Sequence, residues 1–386
     1  MLKETQFSTK GFVVWGICVL FFLYEFFLRA SLGTFQHPLM QDLHLSSIEY
    51  ALLSTTLFSV IYGAMQIPVG LLIEQIGLKK VLLLGVAICT LSTFLFAYST
   101  TYLSALAARM LMGLGASVGF LCVLVSVHEW MPHRHNGFFI GLSLFLGTLG
   151  PMLGAGPLED LILSAHISWQ FIFKGLGFIG LAFVFLVILF VENSHEHAEK
   201  YVVLKRPEKT KTTLIKLFTR SQAWYIALFT GAIYFAIEYL AENEGRVFLE
   251  LKGFNASFAS YMITTAWIGY ALGCPVLGFL SDYFQRRKNV LMAAGFFSVI
   301  AILLVVFSTQ KLVLIAGFFL LGIAASGQTV AFAMMAEQFK KQFVPVGLAL
   351  NNTMMMLFIS VNAPSIAYML DKAKHQADFG INAYYT

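Results

Sequence analysis

Charge is scarce in these 386 residues. Asp, Glu, Lys and Arg together make up 12%, against 58% hydrophobic residues and 38 phenylalanines. A water-soluble domain with so few charges exposes large apolar patches and aggregates, so that class is excluded. Cysteine is scarce too. Cys18, Cys89, Cys122 and Cys274 all fall inside apolar runs, where they pack as small hydrophobes rather than build a disulfide framework. No phosphate-binding glycine loop with its Lys-Ser/Thr occurs, which excludes ATP as the fuel. His128, His133 and His135 stand near Glu129, but no cysteine or carboxylate lies at ligand spacing, so neither a metal site nor a cofactor is expected. The same want of a nucleophile or metal constellation argues against an enzyme. The first apolar run has no small-x-small cleavage site and is interrupted by Glu25 and Arg29, so it reads as a retained helix rather than a secretory signal.

What the chain has in abundance is apolar runs close to the roughly 20 residues that cross a bilayer. They fall near 11–30, 50–73, 80–98, 102–127, 138–160, 168–191, 222–243, 258–281, 288–308, 312–334 and 345–369. The runs are continuous, not alternating, which predicts helices rather than a β-barrel. Ser46-Ser47-Ile48-Glu49 has capping-box spacing before the second, and Asn255-Ala256-Ser257 offers a cap before the eighth.

With the N-terminus and the even-numbered connections taken as one side, that side holds 17 Lys and Arg, from Lys3 and Lys10 to Lys340 and Lys341. The other side holds five: Arg246, Lys252, Lys311, Lys372 and Lys374. The positive-inside rule therefore predicts a cytoplasmic N-terminus. The net charge of +5 is a matter of topology, not a nucleic-acid footprint. Between Glu192 and Phe218 hydrophobicity collapses and basic residues crowd together, marking a cytoplasmic connector. The expected organisation is a first unit over 1–191, a connector over 192–218 and a second unit over 219–386.

A short pattern occurs twice. Gly70-Leu-Leu-Ile-Glu74-Gln-Ile-Gly77-Leu-Lys79-Lys80 returns 208 residues later as Gly278-Phe-Leu-Ser-Asp282-Tyr-Phe-Gln-Arg286-Arg287-Lys288. Tyr62 and Tyr270 keep the same offset, as do Glu129 and Glu337. The chain is thus one bundle built twice, and the motif resembles the loop 2–3 and loop 8–9 pattern of the major facilitator superfamily of secondary transporters. The first copy departs from that pattern with Glu74 for Asp, Gln75 for a basic residue and Leu78 for Arg; the second lacks the second glycine. Arg109-Met-Leu-Met-Gly113-Leu-Gly115 looks like the family's buried-arginine motif. Gly147-Thr-Leu-Gly150-Pro151-Met-Leu-Gly154 is similar to a glycine-proline stretch of antiporters, although its spacing chiefly favours tight packing and bending.

The resemblance implies an all-α polytopic bundle of two pseudo-symmetric six-helix halves, with the twelfth helix absent and the chain read as cut short before it. It also implies a cytoplasmic gate role for the two motif copies, Glu74 and Asp282 at their centre. The glycines would let helices approach closely, and the carboxylates would sit near a positive helix end. Intramembrane charge is costly and marks solute or ion pathways. Candidates for such a pathway are Glu25 and Arg29, paired on one face of the first helix, and Arg109, expected to hold a carboxylate. Tyr234, Glu238 and Glu242 form an i, i+4 ladder with Glu238 the protonatable site, while Glu244 and Arg246 belong to the far mouth. Lys174 either reaches an anion or snorkels to the surface. Gln328, Asn351, Asn352 and Asn362 either bond a solute or glue helices. The expected function is proton-coupled, alternating-access transport of a small zwitterionic or carboxylate solute such as an amino acid or dipeptide. The protein would act as a monomer in a bacterial inner membrane, with lipid, solute and protons as partners and no nucleic acid. A siderophore or drug transporter of the same superfamily, and a transport-inactive receptor or scaffold, are the rivals.

Overall fold

The computed structural model describes residues 7–132, 136–193, 220–338 and 344–374. The connector predicted at 192–218 thus lies almost wholly outside the described residues, as do His133, Arg134, His135, Lys340 and Lys341. Among the described residues eleven helices are long and apolar enough to cross a membrane. They are α1 (Thr9–Gly33), α2 (Ser47–Ile73), α3 (Leu78–Ala97), α4 (Tyr102–Trp130), α5 (Phe139–Ala165) and α6 (Trp169–Phe190). After the connector follow α7 (Ser221–Leu240), α8 (Ala256–Phe284), α9 (Arg287–Phe307), α10 (Lys311–Glu337) and α11 (Gly347–Lys372). These match the eleven apolar runs to within a few residues, because run length alone dictates a span when no water satisfies the backbone.

Capping chemistry sets several starts. Ser46 and Glu49 form a reciprocal capping box at the start of α2, and Asn255 accepts from the Phe258 N–H at the start of α8. Two lysines close helix C-termini, where carbonyls lack partners. Lys252 Nζ donates to Val305 O, Val306 O and Ser308 O at 2.6–2.8 Å, and Lys79 Nζ donates to Ile188 O at 2.9 Å.

The repeat seen in the sequence is visible in the packing. Within the first six spans α1 packs on α5, α2 on α4 and α3 on α4; within the last five α7 packs on α11, α8 on α10 and α9 on α10. The two sets meet along α2–α11 and α5–α8, a pair of seams that exchange under the same six-helix offset. Small residues permit the closest approaches. A methyl on Gly150 would overlap the Leu23 carbonyl oxygen of α1, and one on Gly115 would stand 2.5 Å from the Cys89 nitrogen of α3. Gly113 lies as tightly against Phe58 and Gly147 against the Phe22 ring, while Gly154 sits in ordinary contact beside Pro151's bend. Outward, α6 and α9 present bare apolar faces, with Leu189 and Phe307 more than two-thirds exposed. Such faces suit hydrocarbon and not water.

Candidate functional site

Two helices meet at the centre of the molecule with opposite charges. Arg29 lies near the end of α1, where the helix tightens into a 3₁₀ turn at Ser31–Gly33. Glu238 lies on α7, one turn after Tyr234. Arg29 Nη2 stands 3.0 Å from Glu238 Oε1 and 3.3 Å from the Tyr234 hydroxyl, to which it donates. The two charged side chains are 5% and 0% exposed. The guanidinium also sits 4.5 Å over the Phe26 ring, and Met356 of α11 approaches Nη1 at 4.0 Å. This ion pair joins the first six spans to the last five. The sequence set Arg29 beside Glu25 on one helical face; the fold also brings Arg29 to Glu238 of α7. Glu25 lies against Gly119 of α4, where a methyl group would stand 3.2 Å from its Oε1. Tyr62 of α2 stands within electrostatic reach of Glu25, Arg29 and Glu238 and hydrogen-bonds Asn352.

Around this pair lies a polar and aromatic shell. Asn352 Nδ2 donates to Gln66 Oε1 at 2.8 Å across the α2–α11 seam. Trp267 of α8 packs edge-on against Phe26 and Tyr270, with ring centres 5.2 and 5.5 Å away, and Tyr234 lies at 6.3 Å. Gln328 donates from Nε2 to the Tyr270 hydroxyl. Among the described residues Trp267 Nε1, Gln328 Oε1 and both amide atoms of Asn351 are buried without a hydrogen-bond partner. Buried groups of this kind cost about 1–3 kcal/mol each when unpaired. They are donors and acceptors held in reserve. Asn362, by contrast, bonds only its own helix, at Phe358 O.

One sequence expectation is corrected here. Lys174 sits 4.7 Å over the ring of Tyr98, itself 66% exposed, so it lies at the periphery and not in the central pathway. Its short distance from the helix start lets the long stem reach the surface. Arg109 is fully buried; its Nε and Nη2 donate to Leu53 O and Ser54 O at 3.3 and 2.7 Å, and Nη1 to Leu28 O of α1 at 3.4 Å. Leu53 and Ser54 lie in a π-helical turn of α2 at Leu52–Thr56, where backbone carbonyls are freed from the regular helical ladder. The side chains of Glu74 and Glu242 lie outside the described residues.

On the face opposite the N-terminus the two sets are bound together. Arg246 Nη1 meets Glu159 Oε2 at 2.7 Å and Thr34 O, and its Nε meets Glu250 Oε1 at 2.9 Å. Glu250 in turn pairs with His37 at 2.8 Å. Asn243 bonds Ser54 and Thr55, Gln36 donates to Glu244, and Asp160 accepts from Ser257 and Tyr261. Arg246 and Glu244 at this mouth agree with the sequence reading; Glu159, Glu250 and His37 were missed. Glu159 carried a signal, an acidic Glu159-Asp160 pair within an apolar span. Burial works against the charge of Glu250, yet hydrogen bonds from His37 and Arg246 hold its carboxyl below the usual carboxylate value.

At the N-terminal face several ion pairs join neighbouring helices of one set. Lys10 meets Glu192 at 3.1 Å. In the second motif copy Arg287 bridges Asp282 at 3.1 Å and Glu337. Asp282 thus pairs at the start of α9. In the first copy Lys79 N–H donates to Asn193 Oδ1 at 2.9 Å, and Gly77 holds a left-handed φ of 87° against that same side chain. Lys80, Arg286 and Lys288 are exposed or nearly so. Gly70 and Gly278, expected at close helix contacts, face open space. Among the described residues, the polar contacts between the two sets named here gather at the centre and at the face opposite the N-terminus.

A family model described as Major Facilitator Superfamily matches residues 17–242 and 247–385. Among curated proteins, the uncharacterized transporter YybO of Bacillus subtilis is 23% identical over 305 residues, spanning 74% of this chain and 69% of that protein. The probable sulfoacetate transporter SauU of Cupriavidus necator is 22% identical over 309 residues, 76% of this chain and 70% of that one. The hexuronate transporter of Bacillus subtilis is 25% identical over 273 residues, 69% and 64% of the two chains. Among solved structures, a bacterial homologue of the human lysosomal transporter Spinster, inward-facing and unoccupied, superposes with a TM-score of 0.76 at 15% identity. That match covers 95% of this chain and 84% of the other.

Proposed function

The chain belongs to the Major Facilitator Superfamily of secondary transporters, and from that premise we propose that it carries a small organic anion together with a proton. The buried Arg29–Glu238 pair carries this reading. A proton on Glu238 removes one counter-charge from Arg29, and a buried charge short of its partner is costly by roughly 3–5 kcal/mol. A solute carboxylate or sulfonate restores it. Anion and proton therefore favour one another's binding, and by linkage the coupling is reciprocal. Asn351, Gln328 and the Trp267 N–H offer hydrogen bonds to hydroxyl or amide groups on the rest of the solute.

Sulfoacetate and hexuronate, in the names of two relatives, are both anions, which narrows the solute from zwitterion or carboxylate toward the anion. An amino acid or dipeptide gains no support from those names. The 17-to-5 distribution of basic residues orients the N-terminus to the cytoplasm of a bacterial inner membrane. In that orientation the arrangement described above is the inward-open one. The two units, 1–191 and 219–386 joined by the 192–218 connector, then rock about the central pair. Closing the cytoplasmic face would bring Gly70 and Gly278 into helix contact, which is the gate role proposed for both motif copies. The transporter works as a monomer.

Equilibrium binding of labelled hexuronate, sulfoacetate, a dipeptide and a neutral hexose to the purified chain tests the substrate class. Saturable binding of the two anions, lost in Arg29→Gln, is the expected result. Equal binding of the neutral hexose, indifferent to Arg29, contradicts it.

A further inference from the structure

One of the departures between the two copies of the 208-residue repeat coincides with a cavity. Between α8, α9 and α10, at the N-terminal face, lies an open groove of about 500 Å³ walled by Leu277, Leu280, Phe297 and Ile323. Arg286 and Asn289 stand at its mouth, and Ala293 lines it. The equivalent positions of the first copy are Leu78, Val81, Gly85 and Gly115. There the same junction is closed: Leu78 and Val81 are 1% and 2% exposed, and a methyl on Gly85 would clash with Val118 and stand 2.9 Å from Gly115 O. Two glycines let α3 and α4 touch backbone to backbone. In the second copy alanine and isoleucine stand at the two glycine positions and line the groove, and two buried apolar residues have become an arginine and an asparagine.

We infer that this groove is a binding site for an anionic phospholipid of the leaflet at the N-terminal face, one acyl chain lying along Leu277, Leu280 and Phe297 and the phosphate held by Arg286 and Asn289. The walls are apolar and open toward hydrocarbon, with Phe284 and Phe297 58% and 46% exposed. The mouth is positive. Arg286 has no ion pair among the described residues, Lys288 lies beside it, and α9 begins at Arg287, so the positive end of its dipole lies at the mouth. The nearby carboxylate, Asp282, is already engaged by Arg287 at 3.1 Å. A basic pocket between spanning helices at headgroup depth selects anionic over zwitterionic lipid. An apolar groove beneath it selects a lipid over a soluble phosphate.

Native mass spectrometry of the purified full chain, titrated with phosphatidylglycerol or with phosphatidylcholine of the same acyl chains, tests the site. One phosphatidylglycerol should be retained in preference to phosphatidylcholine. Arg286→Leu, which installs the residue of the first copy, should weaken phosphatidylglycerol roughly fivefold and leave phosphatidylcholine unchanged. Ala293→Phe, which fills the groove, should weaken both. Glycerol phosphate, the headgroup without chains, should not compete. Retention unaffected by both variants places the lipid elsewhere and overturns the assignment, as does full competition by glycerol phosphate. A photo-crosslinker at Phe297 that captures the chain's own connector instead of lipid overturns it too. The Arg286→Leu arm keeps the test decisive even if Ala293→Phe fails to fold.

Discussion

A buried ion pair between two mobile units is poor glue and a good switch, and Arg29–Glu238 has that character. Removing one partner leaves an uncompensated charge, whereas removing both leaves a neutral contact. Arg29→Gln alone should therefore lower stability by about 3–5 kcal/mol, and the Arg29→Gln/Glu238→Gln double variant should recover most of it. Thermal melting of the purified variants reads this directly. Two independent losses that simply add would show that the residues do not act as a pair. Glu238→Gln keeps the shape of the side chain but cannot cycle a proton. Uphill uptake driven by a pH gradient should vanish in this variant while equilibrium exchange of labelled anion survives. Wild-type uptake and pH dependence would move the coupling role to Glu25.

Much of this centre was legible residue by residue, because an ionisable group inside an apolar run announces itself. Arg29, Glu238 and Tyr234 were found that way. Their long-range partners were not legible. Arg29 pairs with Glu238, 209 residues on, and nothing local in the sequence points to that contact. Arg109 was recognised as buried, but its carbonyl partners depend on a π-helical turn in another helix that apolar pattern does not reveal. Lys174 misled for the opposite reason: a lysine's reach makes its Cα depth a weak guide to where its charge lies.

Among the elements, glycine contacts fix the spacing of the helices and polar contacts fix the seal. Gly150→Val forces α5 away from Leu23 of α1 and should lower the melting temperature as an overpacked core does, by about 1–3 kcal/mol or more. Gly70→Val, where the structure leaves open space, should leave the melting temperature unchanged but slow transport, since the crowding arises only when the gate closes. A large stability loss at Gly70 would contradict the arrangement described. The seal around Arg246 adds a pH prediction. The carboxyl of Glu250 is held below its ordinary value, so its contribution is complete above that value and disappears as pH falls through the lowered one. The seal should stay shut at neutral pH and loosen in acid, as pH falls below the ordinary carboxylate value. A cysteine placed at Ser54, behind the seal, should react with an impermeant thiol reagent only in that acid range. Glu250→Gln should make the reaction independent of acid. The sequence placed Arg246 at this mouth but could not supply Glu159, His37 or Asn243, because the seal consists of contacts between distant segments.

For the whole molecule, run length and a fixed offset revealed the bundle and its duplication before any coordinates, since hydrocarbon leaves the backbone only helices to choose from. Orientation follows from the basic residues and has a direct check. Cysteines introduced beside Lys79 and Arg286 should resist an impermeant reagent applied to intact cells, while one beside Lys252 should react. Labelling of both groups from one side would undo the topology. The central claim is that one buried pair couples an anion to a proton as the two units exchange access. Its most direct measurement is the accumulation of labelled hexuronate and sulfoacetate in proteoliposomes, with and without an imposed inward proton gradient. The account predicts accumulation above equilibrium that requires both the gradient and Glu238; accumulation equal with and without the gradient, or equal in protein-free liposomes, contradicts it.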